Sequence, residues 1–177
     1  MQVERDVAAP PDAVWAVITD LEGSAEIISA IMSVERIGAD SGFEVGTRWK
    51  ETRKLFGREG TEEMEVTAID EGRSYAVEAD GSGAHYTSVM TIEPSGDGCR
   101  LSMSFESEPT TFIARIGAAF GKLLEGSTRK MLATDLDEIA AAAEARSQAP
   151  TAPRETPADD ARGEATDDPE PGSGGGG

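Results

Sequence analysis

Trp49, Glu51 and Arg53 alternate along one stretch of chain, so in an extended conformation their side chains share a face. Glu62 lies on the next such stretch. Charged groups on an inward face must be paired or reach water. One arrangement is a polar end to an otherwise apolar pocket, with Arg53 holding a ligand carbonyl, hydroxyl or carboxylate. The other is a structural Glu51–Arg53 ion pair at a sheet rim, or a bulge that turns both residues outward. Tyr75 and Tyr86 carry hydroxyls suited either to a ligand or to a structural hydrogen bond. His85 is the sole histidine, and by parity with Tyr86 it points outward. It reads as a surface residue, with a general base at a pocket mouth as the alternative. With no second histidine and a lone cysteine, Cys99, no metal site is expected. No nucleophile elbow or triad pattern accompanies the many Ser and Thr residues. Gly81-Ser82-Gly83 lacks the lysine and the strand–loop–helix context of a phosphate loop. No cofactor is implied.

The elements that must position these residues follow a telling order. Gln2 to Ala8 alternates as a strand. Pro10-Pro11-Asp12 opens a helix, since proline suits a first turn and an acid suits its dipole. Val14, Trp15, Val17 and Ile18 supply its apolar side. Ser24 to Ala30 reads as a second short helix, with Ile27, Ile28 and Ile31 turned inward. Six strands follow, at 32–37, 47–55, 59–69, 74–78, 84–93 and 99–108. Glycine-rich turns such as Asp70-Glu71-Gly72-Arg73 separate them, which predicts sequential antiparallel hairpins. Beyond Pro109 the apolar period becomes helical. Phe112, Ile116, Phe120, Leu123 and Leu124 run on into Met131, Leu132, Leu136 and Ile139, predicting one long helix over about 111–145 with Thr110 or Thr111 as its N-cap. Gly117, Gly121 and Gly126 interrupt it.

Strand alternation assigns the inward face. Met64, Val66 and Ala68 should face the long helix with Glu62, followed by Tyr75 and Val77, then Tyr86, Ser88, Met90 and Ile92, then Leu101, Met103 and Phe105. Glu63, Glu65, Thr67, Thr87, Thr91, Ser102 and Ser104 should face solvent. A strongly curved sheet gripping one helix leaves space between them, so the inward residues are candidate cavity walls. The expected ligand contacts are Trp49, Glu51, Arg53, Met64, Val66, Tyr75, Val77, Tyr86, Ser88, Met90, Met103 and Phe105, with Phe112, Ile116 and Phe120 from the helix. Ordinary core is the competing reading for each.

Composition bounds the partners. The 177-residue chain carries a net charge of −18. Such a field repels phosphate backbones and anionic lipid surfaces, arguing against nucleic-acid partners and electrostatic membrane attachment. No apolar run approaches the ~20 residues of a membrane span, and no stable membrane insertion is expected. Met1 to Asp6 does not read as a signal peptide, so a cytoplasmic location is expected. Residues 147–177 contain five prolines, no aromatic residue and a closing glycine run. They read as a disordered acidic tail after a domain spanning 1–146. The sequence leaves the oligomeric state open.

The order of one strand, two helices, six strands and a long helix resembles the helix-grip fold of the START/Bet v 1-like (SRPBCC) superfamily. Several details are similar to its bacterial polyketide cyclase/dehydrase-type members: Pro11-Asp12-Ala13-Val14-Trp15 with Ile18-Thr19-Asp20, Gly46-Thr47-Arg48-Trp49 with Glu51-Thr52-Arg53-Lys54, the stretch Glu63 to Asp70, and Arg129-Lys130 to Asp135-Leu136. The resemblance implies an α+β fold in which a curved antiparallel sheet wraps a long C-terminal helix. It implies an apolar small-molecule ligand, such as a lipid or polyketide, in the cavity between them. Families of this kind also include enzymes, so a cyclase or dehydratase in which Glu51, Tyr86 or His85 moves protons is the first alternative. A protein-interaction or regulatory domain with a filled core is the second.

Overall fold

Strand β1 (Gln2–Val7) leads through Pro10 into α1 (Pro11–Ile18) and the short α2 (Ser24–Ile27). Six strands follow: β2 (Ile31–Ile37), β3 (Arg48–Leu55), β4 (Arg58–Asp70), β5 (Ser74–Gly81), β6 (Ala84–Ser95) and β7 (Gly98–Pro109). Helix α3 (Glu125–Gln148) closes the domain. This computed structural model describes residues 1–39, 41–55, 57–81, 83–110 and 125–149. Phe112, Ile116 and Phe120, the proposed cap at Thr111, Gly117, Gly121 and nearly all of the expected tail lie outside the described residues.

The strands form one antiparallel sheet in the order β1-β7-β6-β5-β4-β3-β2. Every hairpin from β2 to β7 pairs with its sequence neighbour, and β1 joins the far edge by pairing with β7. The short turns make this possible. At the β4–β5 turn Arg73 N–H donates to the Asp70 carbonyl at 2.9 Å, and Gly72 takes a φ of 74°, a left-handed conformation that suits glycine. The sheet is curved and does not close into a barrel.

Two register shifts bend it. One, on β2, falls between Ile31 and Ser33. It leaves Ile31 buried on the concave side while Met32 is 50% exposed. The other, on β4, falls between Val66 and Ala68. There the expected alternation fails. Ala68 is exposed rather than inward, and Ile69 packs against the buried residues instead. The extra residue at the bulge shifts the parity of all that follows it.

The core has two parts. The larger joins Val3 and Val7 of β1, Val14 and Val17 of α1, and Ile92 and Leu101 of the sheet to Leu132, Leu136, Ile139, Ala140 and Ala143 of α3. Those helix positions recur at three- and four-residue spacing, which makes one stripe. Helix α3 packs by this stripe on β1, β7, α1 and α2. The smaller part joins Leu21, Trp49, Val66 and Val77. Between these two clusters the sheet and the helix stand apart.

Candidate functional site: a cavity with a charged inner wall

The space between sheet and helix is a cavity of about 960 Å³, within the ~300–1,000 Å³ usual for small-molecule sites. Its apolar walls are built by alternate residues of β4 to β7 and by α3. Met64, Val77, Met90, Met103 and Phe105 come from the sheet, and Met131, Leu132 and Ile139 from the helix. Tyr75, Tyr86 and Ser88 complete the sheet side, and Met1, Ile28 and Ile31 add wall that alternation alone had not singled out. Val66 faces inward but is sealed in the smaller core cluster between Trp49 and Val77, so it does not reach the cavity. Volume of this size also departs from the filled core that the interaction-domain alternative requires.

Trp49, Glu51 and Arg53 all face the cavity from β3. Their environment combines features of both arrangements that the sequence left open, an ion pair and a place on the cavity wall. Arg53 Nη2 donates to Asp135 Oδ2 of α3 at 2.6 Å, and Arg53 Nε lies 3.2 Å from Glu51 Oε1. The guanidinium is therefore shared by two carboxylates, one on its own strand and one across the gap. The Nε–H is buried yet makes no hydrogen bond of good geometry among the described residues. The Trp49 indole N–H donates to Glu51 Oε2 at 3.2 Å. Despite these partners, burial pushes the Glu51 carboxyl above the ordinary glutamate value, against the opposing pull of Arg53. Burial raises Asp135 likewise, and again Arg53 only partly offsets it.

Glu62 is the cross-strand partner of Glu51, and it too lines the cavity. Its carboxylate has no hydrogen-bond or ion-pair partner among the described residues. Burial pushes it upward first, the Glu51 charge pushes it further, and Arg53 offsets this only in part. It lies over Gly81, where a Cβ would stand only 2.7 Å from Glu62 Oε1. A side chain at position 81 would push the carboxylate out of this place.

The hydroxyls divide. Tyr75 donates to the Ile18 carbonyl of α1 at 3.2 Å and packs edge-on against Trp15 and Phe43, so its polar end is structural. Tyr86 stacks on Phe105 with ring centres 5.8 Å apart, and its hydroxyl makes no hydrogen bond among the described residues. His85 lies on the other face of β6 from Tyr86 and does not line the cavity. It pairs with Asp80 at 2.9 Å, which holds its imidazole above the usual histidine value. That position removes it as a base for anything bound inside.

Asp135 is the residue that sequence reasoning missed. Its signal was present: an acid inside the apolar stripe of Leu132, Leu136 and Ile139, only 4% exposed. No cluster among the described residues has metal-binding geometry.

The sequence matches the family described as polyketide cyclase/dehydrase and lipid transport over residues 1–144. The chain belongs to this family. Solved structures similar to this polyketide cyclase/dehydrase and lipid transport family chain share its fold. The protein TTHA0849 from Thermus thermophilus is 22% identical with a TM-score of 0.70, covering 83% of this chain and 98% of that one. The di-domain aromatase/cyclase StfQ of the steffimycin pathway is 13% identical with a TM-score of 0.68, covering 82% of this chain and 50% of that one. A norcoclaurine synthase point mutant from Thalictrum flavum, bound to a transition-state analogue, is 22% identical with a TM-score of 0.63, covering 82% and 94%. No curated protein matches by sequence. The helix-grip expectation is thus borne out by both the family and the fold. At these identities the likeness speaks to fold alone.

Proposed function

We propose that this family member binds a hydrophobic small molecule, a lipid, polyketide or compound of similar character, between the sheet and α3. The observation that carries the reading is the cavity of about 960 Å³, walled mainly by apolar side chains, with charged groups at Glu51, Arg53, Glu62 and Asp135 and at the β7 end. Burying an apolar ligand there gains about 25 cal/mol for each Å² removed from water. Flexible methionines on both sides of the space suit a wall that adapts to its contents.

The test has two parts. Mass spectrometry of protein purified from its own host, followed by denaturing extraction, should reveal a stoichiometric apolar adduct. Met103→Trp and Met90→Trp each fill the cavity with an indole and should cut uptake of a neutral dye such as Nile red by at least about tenfold. Circular dichroism should show that the fold persists. Undiminished uptake in both folded variants would place binding elsewhere.

A second reading is supported by the Glu51–Glu62 pair. Two inward carboxyls raised above their ordinary values, next to a Tyr86 hydroxyl, are groups able to give and take protons inside an apolar space. A cyclase or dehydratase would use them on a bound polyketide. Turnover of a polyketide substrate that is lost in Glu51→Gln but retained in His85→Gln would favour this reading over binding alone.

A further inference from the structure

The polar wall of the cavity carries more negative charge than it can neutralise. Arg53 is the one cationic side chain on the wall among the described residues, and Glu51, Glu62 and Asp135 all face the same space. The Met1 ammonium, also at the wall, donates to the Phe105 carbonyl at 2.7 Å. Arg53 is engaged by Glu51 and Asp135 and attracts Glu62 only from beyond ion-pair distance, so Glu62 has no ion-pair partner among the described residues. The sheet aggravates this. Glu51 and Glu62 stand directly opposite on neighbouring strands, where like charges repel. Such an imbalance is settled either by a proton held on the pair or by a cation brought from outside.

Resting on the cavity reading above, we propose that the preferred ligand is an amphiphile with a protonated amine at its polar end, seated on the Glu51–Glu62 pair with its apolar body along the methionine-lined wall. An ammonium brings one positive charge and up to three donors. It can take the place of a proton held on the pair, and it meets the unpartnered Glu62 carboxylate. The rest of the cavity agrees. Glu106, Glu108 and Glu125 are exposed at the end where β7 finishes and α3 begins. A carboxylate or phosphate headgroup would meet three acids at that end of the cavity and three more on the inner wall. Arg53, already divided between two carboxylates, offers such a headgroup little, contrary to the role that the sequence first offered it.

The experiment is displacement of bound Nile red by three ligands of equal chain length: decylamine, decanol and decanoate, at neutral pH. The expected order is amine, then alcohol, then acid, with the amine favoured over the alcohol by at least about tenfold. Glu62→Gln should bring the amine-to-alcohol ratio close to one. Gly81→Ala should lower the ratio too, because its methyl would displace the Glu62 carboxylate while leaving that residue chemically intact. It serves if Glu62→Gln fails to fold. General attraction of amines to an acidic surface is controlled by the same variants. Glu62→Gln removes one of 34 acidic residues and barely alters the surface field. A ratio unchanged in both variants therefore overturns the proposal. Decanoate displacing the dye as well as decylamine also overturns it, while leaving the cavity reading intact. Failure of Nile red to bind at all would instead sink the cavity reading, and this inference with it.

Discussion

Glu62 faces the cavity, opposes another glutamate and rests over Gly81, where a Cβ would push its carboxylate aside. The pH dependence of stability should carry its mark. Its folded carboxyl sits above the ordinary value of 4.5, so the folded state holds the proton more firmly than the unfolded one. The associated stability is fully present below that ordinary value and is lost as pH rises through the raised one. Glu62→Gln should therefore match the parent protein near pH 4 and exceed it at pH 7–8. The gain should be about 0.2–1 kcal/mol, the scale of a cross-strand pair, since Glu62 is half in contact with solvent. Thermal melts across this range would show it, and parallel curves for the two proteins would refute it. The inward placement of Trp49, Glu51, Arg53 and Glu62 was legible in the sequence because alternation is a property of the strand itself. Asp135 was not, because the helical stripe was read through its apolar members, and the acid among them makes sense only once Arg53 is seen across the gap. Val66 was legible as inward but not as sealed, since its neighbours Trp49 and Leu21 come from distant parts of the chain.

Helix α3 is held by more than its apolar stripe. Arg129 donates to the Gln2 carbonyl, Ser29 N–H donates to Glu138, and Ala8 N–H donates to Glu144. These contacts fasten it to β1 and the neighbouring loops. Among the described residues, the Arg53–Asp135 pair is the polar contact that fastens it across the cavity to β3. Removing either partner should cost stability unequally. Arg53→Met leaves Glu51, Glu62 and Asp135 facing one another without a cation, at a cost of about 3–5 kcal/mol near neutral pH. That cost should shrink in acid as the carboxyls protonate. Asp135→Asn leaves Arg53 with Glu51 and should cost only about 1–2 kcal/mol. Urea unfolding of both variants would check the order, and a costlier Asp135→Asn would mean that the pair with Glu51 contributes little. At this scale, the strand order and the hairpins could be read from the turns, because glycine-rich turns record where a chain reverses. The bulges could not. A single extra residue in β4 leaves no composition mark, yet it exchanges Ala68 for Ile69 at the core.

Across the whole molecule, the charge of −18 acts at longer range than the wall of the cavity. Residues 150–177 hold two basic and seven acidic side chains, so most of that charge belongs to residues 1–149. Two effects of charge on an incoming ammonium can then be separated by kinetics. The distributed field governs encounter. The decylamine association rate should therefore fall as salt is raised from ~0.01 M to ~1 M, a range over which the Debye length contracts from about 30 Å to about 3 Å. Decanol, carrying no charge, should show no such slope. The Glu51–Glu62 pair acts only after arrival and at short range, where partly buried charges are screened less than those on the surface, so it governs dissociation. Glu62→Gln should leave the association slope almost untouched and speed dissociation by about tenfold. Truncation after Gln148 should do the reverse. It removes −5 of charge and should flatten the slope modestly while leaving dissociation and thermal stability as they were, because every described residue of the core and of the cavity wall lies within residues 1–148. Stopped-flow traces of the three proteins distinguish the two effects. If Glu62→Gln flattens the slope and leaves dissociation unchanged, the amine is held by the surface field and not by the wall of the cavity.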